Sequence, residues 1–187
     1  MKSYLLHFLP VLFITLISCQ NRAQEEEIIS KILKTELSSK LEVWNTWGDS
    51  LRVYVYIPIE YSLKNNFNSE IRLSTTYWSK EKANISDAPT YQLKDNKLKI
   101  GPNKVKFSKE ESKKFKVFVR FVLQLTTDEI KQIFNQEFVQ KKKYDVELST
   151  GLKTILTTQI PVKGYVHSMM YNLNSKNGFS IDIPFNF

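Results

Sequence analysis

The chain has 187 residues, with 27 Lys or Arg against 19 Asp or Glu, and a formal net charge of +8 at pH 7. An aromatic content of 13%, with only five Gly and six Pro, excludes a disordered or low-complexity chain. Because there is a single cysteine, no internal disulfide can form, and the fold must depend on a hydrophobic core.

The first 19 residues have the pattern of an export signal. One lysine, Lys2, precedes an apolar run over residues 5–17, which is too short for a spanning helix of about 20 apolar residues. The run ends in Leu16, Ile17, Ser18 and Cys19, which resemble the lipobox of bacterial lipoproteins. The resemblance implies that residues 1–18 are removed and that Cys19 is acylated. Residues 19–24 would then form a lipidated tether, and residues 25–187 a single β-rich domain.

This resemblance also implies a location and a set of partners. The protein would sit in the cell envelope, anchored in the membrane by acylated Cys19, where nucleic acid is not a partner. Gln20 follows Cys19, in place of the Asp that some inner-membrane lipoproteins carry, so the outer membrane is favoured, on its periplasmic or surface face. The basic excess is typical of a solvated surface, or of attraction to anionic headgroups.

A helical period comes first in the mature chain. Ile28, Ile29, Ile32 and Leu33 have helical spacing behind three glutamates that suit a helix N-terminus. The pattern predicts an amphipathic helix over about residues 25–40.

From Leu51 onward the period changes to two. It predicts strands over residues 51–57, ending at Pro58, and over residues 71–78. Short strands follow at residues 91–93 and 98–100, around a turn at Asp95 and Asn96.

The most apolar stretch, residues 115–125, is predicted to be a central strand. Thr126 and Glu129 have the spacing of a capping box, which predicts a helix over about residues 127–139. Further strands are expected over residues 144–148 and 152–160.

At the end of the chain, alternating residues predict a hairpin in which Leu173 pairs with Phe179 and His167 with Phe185. The fold class expected from these elements is mainly β. It is an antiparallel β-sandwich of immunoglobulin-like architecture, with an N-terminal amphipathic helix and one helix inserted near residues 127–139.

Several of these segments together resemble the late-embryogenesis-abundant type-2 domain, also called the water-stress and hypersensitive-response domain. They are the strand at 115–125, the helix that follows it, residues 144–152 and residues 160–164, within a region of about 50–166. The chain departs from the family at Asn66-Phe67, where the family usually has Asn-Pro. The resemblance implies a small β-sandwich with one helix, without catalytic residues, acting as a stress-protective or binding domain.

The residues offer little for catalysis. His167 is the one histidine beyond the signal segment, and we expect it to pack against Phe185 with its nitrogens bonded. A Ser-x-x-Lys motif at Ser79 and Lys82 lacks the partner motifs that would give it meaning. We therefore predict no enzyme, no catalytic residue, no metal site and no cofactor.

Aromatic residues are the remaining candidates. Tyr54 and Tyr56 alternate with apolar residues and should point outward, and with Trp78 they form the predicted binding surface. The function expected is a non-enzymatic, membrane-anchored envelope lipoprotein that binds a protein or glycan partner through its sheet surface. Two alternatives stay open, an immunity lipoprotein that neutralises a toxin and a stress-protective domain without a specific ligand.

The lipobox interpretation can be tested by Cys19→Ala. We expect the substituted protein to leave the membrane fraction, because its acyl chains would be the anchor. Cell fractionation with immunoblotting measures this, and an unchanged membrane fraction would contradict the interpretation.

Overall fold

The computed structural model describes residues 28–47, 50–82, 88–102, 104–134, 143–146, 154, 158–159 and 163–186. The predicted signal segment, lipobox, Cys19 and tether lie outside these residues. The described part of the chain is mainly β, with antiparallel sheets, one of them curled. Its elements are β1 (Ile28–Leu33), β2 (Ser39–Trp47), β3 (Ser50–Asn65), β4 (Ile71–Ser79), β5 (Ala88–Pro89), β6 (Tyr91–Lys94), β7 (Lys97–Ile100), β8 (Val105–Phe107), β9 (Ser112–Leu125), α1 (Thr127–Phe134), β10 (Lys143–Val146), β11 (Lys163–Asn172) and β12 (Gly178–Asn186).

These strands form two sheets. The large sheet has the order β10-β2-β3-β9-β6-β7, with β1 also paired to β3. The small sheet has the order β12-β11-β4-β5, with β8 also paired to β4. Every pairing among the described strands is antiparallel.

The longest pairing joins β3 and β9. It runs from Leu51 opposite Leu125 to Lys64 opposite Ser112. Alternate residues of both strands are buried, among them Val53 and Leu123, as expected for strands with one face toward a core. The predicted central strand over residues 115–125 is confirmed.

The two sheets share one hydrophobic core. Trp78 of the small sheet packs on Phe121 of the large sheet with ring centroids 4.5 Å apart, and Phe107 meets Phe115 at 5.7 Å. Buried residues from both sheets belong to the same cluster. Burial of such apolar surface is the main term that favours folding, at about 25 cal/mol per Å².

The predicted N-terminal helix is wrong for the residues that the structure describes. Residues 28–33 are strand β1, paired with β3 from Ile28 opposite Asn65 to Leu33 opposite Glu60, and β2 begins at Ser39. Three of the apolar residues that suggested a helix are isoleucines, which favour strands because they are β-branched. Residues 28–33 therefore form a strand, because they pair with β3, although the spacing of their apolar residues also fits a helix.

Strand β3 continues through Pro58, where the sequence predicted that it would end. On one side of β3, the pairing with β1 ends at Glu60 and the pairing with β2 begins at Tyr56. Residues 57–59 of β3 are therefore unpaired on that side, where residues 34–39 connect β1 to the paired part of β2. A proline, which has no N–H, is tolerated at such an interruption of a sheet. The interruption leaves a cleft of about 320 Å³ between residues 35–39, Ile57, Pro58 and Val146.

The helix after β9 is confirmed over Thr127–Phe134. Its capping box is formed as predicted, since the Glu129 N–H donates to Thr126 Oγ1 at 3.2 Å and the Thr126 N–H to Glu129 Oε2 at 2.7 Å. No helix of the described residues is long and apolar enough to cross a membrane. The strand expected over residues 152–160 is wrong at Thr154, Thr158 and Gln159, which are helical.

The terminal hairpin forms with a register other than the predicted one. Phe179 lies opposite Met170, not Leu173, and His167 lies opposite Asp182, not Phe185. The shift arises at the turn, where the Asn172 side chain accepts hydrogen bonds from the N–H groups of Asn174 and Ser175 at 2.9 and 3.1 Å. This turn ends β11 before Leu173.

Gly164 fixes the other end of the hairpin, where it lies opposite Phe185. A Cβ at residue 164 would lie 2.6 Å from Phe185 Cζ and 2.9 Å from the backbone oxygen of Ser79. The absent side chain therefore lets the Phe185 ring enter the core and lets β11 lie close to β4.

We expect Gly164→Ala to lower the free energy of unfolding by about 1–3 kcal/mol, because the new methyl group overpacks this contact. Urea denaturation measures the change. Gly178→Ala is the matched control, since a Cβ there meets only Met170 O at 3.8 Å, an ordinary contact. Equal stability of the two variants would contradict this account of the hairpin register.

Candidate functional site

The outer face of the large sheet carries two of the residues predicted for binding. In β3, Leu51, Val53 and Val55 face the core, so Arg52 and Tyr54, which alternate with them, point away from it. In β9, Arg120 lies on the same outer side, since it pairs directly with Tyr56. Strand alternation therefore brings tyrosines and arginines from neighbouring strands onto one surface.

Tyr54 is at the centre of this group. The ring of Trp44 meets it edge-on with centroids 5.6 Å apart. The guanidinium groups of Arg52 and Arg120 both lie over it, 5.5 and 5.0 Å from its centroid. Arg120 also lies 5.3 Å from the ring of Tyr91. We call this surface the arginine–aromatic face, formed by Trp44, Arg52, Tyr54, Tyr91 and Arg120.

Tyr56 forms the floor of this face rather than its exposed part. It is buried, its ring meets Tyr91 edge-on at 5.7 Å, and its hydroxyl donates to Glu42 Oε2 at 3.1 Å. Burial raises the pKa of Tyr56, and the negative charge of Glu42 raises this pKa further. The phenol therefore keeps its proton and holds Glu42, which also pairs with Lys143 at 3.3 Å.

Unlike Glu42, the two arginines of the face have no ion-pair partner among the described residues. Among the described residues, no salt bridge includes Arg52 or Arg120, and the nearby carboxylate, Glu42, is already paired. Beside them, Trp44 and Val122 are 38% and 47% exposed. The face thus offers positive charge next to accessible apolar surface.

Trp78, the third residue of the predicted binding surface, lies elsewhere. It is 6% exposed and packs on Phe121 in the core between the sheets. In β4 Trp78 alternates with Tyr77, which is only partly buried and points to the other side of the strand, so the grouping with Tyr54 is corrected. Sequence analysis did not identify Arg52, Arg120 or Tyr91 as part of the surface, because only the pairing of β3, β9 and β6 brings them together.

A second constellation, a buried Ser-His-Asp triad, lies in the small sheet. His167 Nε2 is 2.5 Å from Ser79 Oγ, and His167 Nδ1 is 2.6 Å from Asp182 Oδ1. The three residues belong to the adjacent strands β4, β11 and β12. Ser79 and His167 are fully buried, and the Asp182 side chain is 19% exposed.

These distances are those of a catalytic triad, but the hydrogens are arranged differently. The Ser79 hydroxyl donates to the backbone oxygen of Glu81 at 2.5 Å, so its oxygen can only accept from His167 Nε2. Ser79 is therefore a hydrogen-bond acceptor that ties strands together, whereas a nucleophilic serine gives its proton to the histidine.

Both nitrogens of His167 are bonded, as predicted, but their partners were not foreseen. The predicted neighbour, Phe185, lies opposite Gly164. The Ser-x-x-Lys motif supplies only Ser79 to the triad, since Lys82 is exposed. Among the described residues, no group of three His, Cys, Asp or Glu side chains could hold a metal ion.

We expect Ser79→Ala to lower the free energy of unfolding by about 1–3 kcal/mol, because it leaves the buried His167 Nε2 without a partner. Urea denaturation at pH 7 measures this. The control is Ser180→Ala, an exposed serine of β12, which should change stability by less than about 0.5 kcal/mol. Covalent labelling of Ser79 by a fluorophosphonate in the folded protein would contradict the acceptor role.

In comparisons with protein-family models, curated proteins and solved structures, no match to this chain is found. The chemistry of the arginine–aromatic face and of the triad therefore has to be interpreted from their residues alone.

Proposed function

We propose that the chain is a non-enzymatic lipoprotein of the cell envelope that binds a glycan through the arginine–aromatic face. The observation that carries the proposal is the pair of guanidinium groups over the ring of Tyr54, 5.5 and 5.0 Å from its centroid, without a carboxylate partner among the described residues. In this proposal acylated Cys19 holds the domain at the outer membrane, and the scaffold is an immunoglobulin-like sandwich.

A glycan fits this face better than a protein does. Protein interfaces also favour Trp, Tyr and Arg, but they do so over a patch of about 800 Å² per partner. Here Tyr54 lies at the centre with the two charged groups over its ring, and the exposed apolar side chains beside them are Trp44 and Val122. Aromatic rings and guanidinium groups together suit a ligand with both C–H surfaces and polar groups, as sugars have.

Binding is a better interpretation of the structure than catalysis. Among the described residues, the arrangement that resembles catalytic machinery is Ser79 with His167 and Asp182; it is largely buried, and the Ser79 proton is donated to a carbonyl. A serine that reacts needs access for a substrate and a base that receives its proton. The triad is proposed to hold β4, β11 and β12 together.

The alternatives raised by the sequence have less support. An immunity protein needs an interface of about 800 Å² per partner, whereas the exposed apolar side chains beside the two arginines are Trp44 and Val122. A stress-protective domain, as implied by the late-embryogenesis-abundant resemblance, needs no specific face. The arginine–aromatic face favours a specific ligand over both.

The proposal is tested by Tyr54→Ser in the full-length protein, held in detergent. Tyr54 contacts Trp44, Arg52 and Arg120, so its loss should weaken retention on envelope polysaccharide about tenfold or more. Co-sedimentation with insoluble polysaccharide from the envelope measures the retention.

Tyr171→Ser is the matched control, because the Tyr171 ring also lies under an arginine, Arg72 at 5.8 Å, but in the small sheet. We expect this variant to be retained like the wild type. Equal loss in both variants, or binding to an envelope protein alone, would refute the proposal.

A further inference from the structure

We infer that the glycan bound by the arginine–aromatic face is acidic, and that Arg52 and Arg120 bind its carboxylate groups. The inference rests on the proposed function and specifies its ligand. It follows from the distance between the two guanidinium groups, from how they are held, and from the charges around them.

The two guanidinium groups are close together. Their central carbons lie 5.5 and 5.0 Å from the same ring centroid, so they are at most 10.5 Å apart, the sum of these distances. Two half-exposed cations within this limit can act on one ligand, although salt screens most of the repulsion between them at its upper end. A ligand with negative charge is attracted by both, whereas a neutral glycan is not.

Both groups also lie against aromatic rings before a ligand arrives. Arg120 lies over the rings of both Tyr54 and Tyr91, and Arg52 lies beside Tyr54 on the same strand. Contact with an aromatic ring uses the flat side of a guanidinium. Among the described residues, no hydrogen bond uses the N–H groups of either arginine, so these donors can form bidentate bonds to a carboxylate.

The charged neighbours leave the face positive. Glu42 pairs with Lys143 and accepts from Tyr56, and Glu60 lies 3.7 Å from Lys116. No uncompensated carboxylate of the described residues competes for Arg52 or Arg120. The exposed side chains of Trp44 and Val122 supply the apolar contact that a sugar ring needs. A pyranose that carries a carboxylate matches both parts of the face.

The test compares the wild type with Arg52→Lys/Arg120→Lys, which keeps both charges but removes the planar, bidentate donors. Full-length protein in detergent is titrated by calorimetry with polygalacturonate, with neutral dextran and with vesicles of anionic phospholipid, at one salt concentration. We expect binding to polygalacturonate by the wild type, and a tenfold or greater rise in Kd for the double variant.

Arg72→Lys is the matched control, because it makes the same change at an arginine that lies over Tyr171 in the small sheet. Its Kd should equal that of the wild type. The single variant Arg52→Lys, with a smaller rise in Kd, keeps the test informative if the double variant does not fold.

Four outcomes would overturn the inference. Equal affinity of the double variant would mean that charge alone attracts the ligand, and tighter binding to vesicles would identify a lipid surface as the ligand. Binding of neutral dextran as tightly as polygalacturonate would refute an acidic ligand but leave the proposed function standing. Absence of binding to any glycan would refute both.

Discussion

The pairing of β3 with β9 is the constraint on which the rest of this structure depends. It runs without a shift from Leu51 opposite Leu125 to Lys64 opposite Ser112, and one face of both strands supplies much of the core. Because side chains alternate across a strand, the same register that buries Val53, Val55 and Leu123 places Arg52, Tyr54 and Arg120 together outside. A slip of one residue would bury the arginines and expose the valines, so the stability of the core and the composition of the outer face are set by one register.

Local signals in the sequence were enough for the elements on which this pairing is built. The period of two identified β3, β4 and β9, and the spacing of Thr126 and Glu129 identified the start of α1, because each depends on neighbours in the chain. The same rules failed for β1, where four apolar residues have a spacing that fits a helix, and the backbone groups of β3 decide the conformation. They also ended β3 too early, since nothing local shows that Pro58 falls opposite an interruption between β1 and β2.

The candidate site was predictable only in part, because it is assembled by strand pairing. Tyr54 was found from its alternation with Val53 and Val55, but its partners Arg120 and Tyr91 belong to strands far away in the chain. Trp78 was grouped with Tyr54 because both are aromatic and near in sequence, although β4 belongs to the other sheet. The Ser79, His167 and Asp182 triad was missed for the same reason: its geometry requires the true register of β11 and β12, which the Asn172 turn and the opposition of Gly164 to Phe185 fix.

The triad and the arginine–aromatic face differ in whether their polar groups have partners within the protein. This difference suggests a structural role for the triad and a binding role for the face. Two buried groups have partners at short distance, namely His167 between Ser79 and Asp182, and Glu42 between Tyr56 and Lys143. Such pairing avoids the large cost of an unpaired buried charge. Arg52 and Arg120 are placed instead on aromatic rings at a half-exposed surface, where water makes an unpaired charge tolerable. A ligand carboxylate would bring to these arginines what Asp182 brings to His167, and it would do so at a position that solvent reaches.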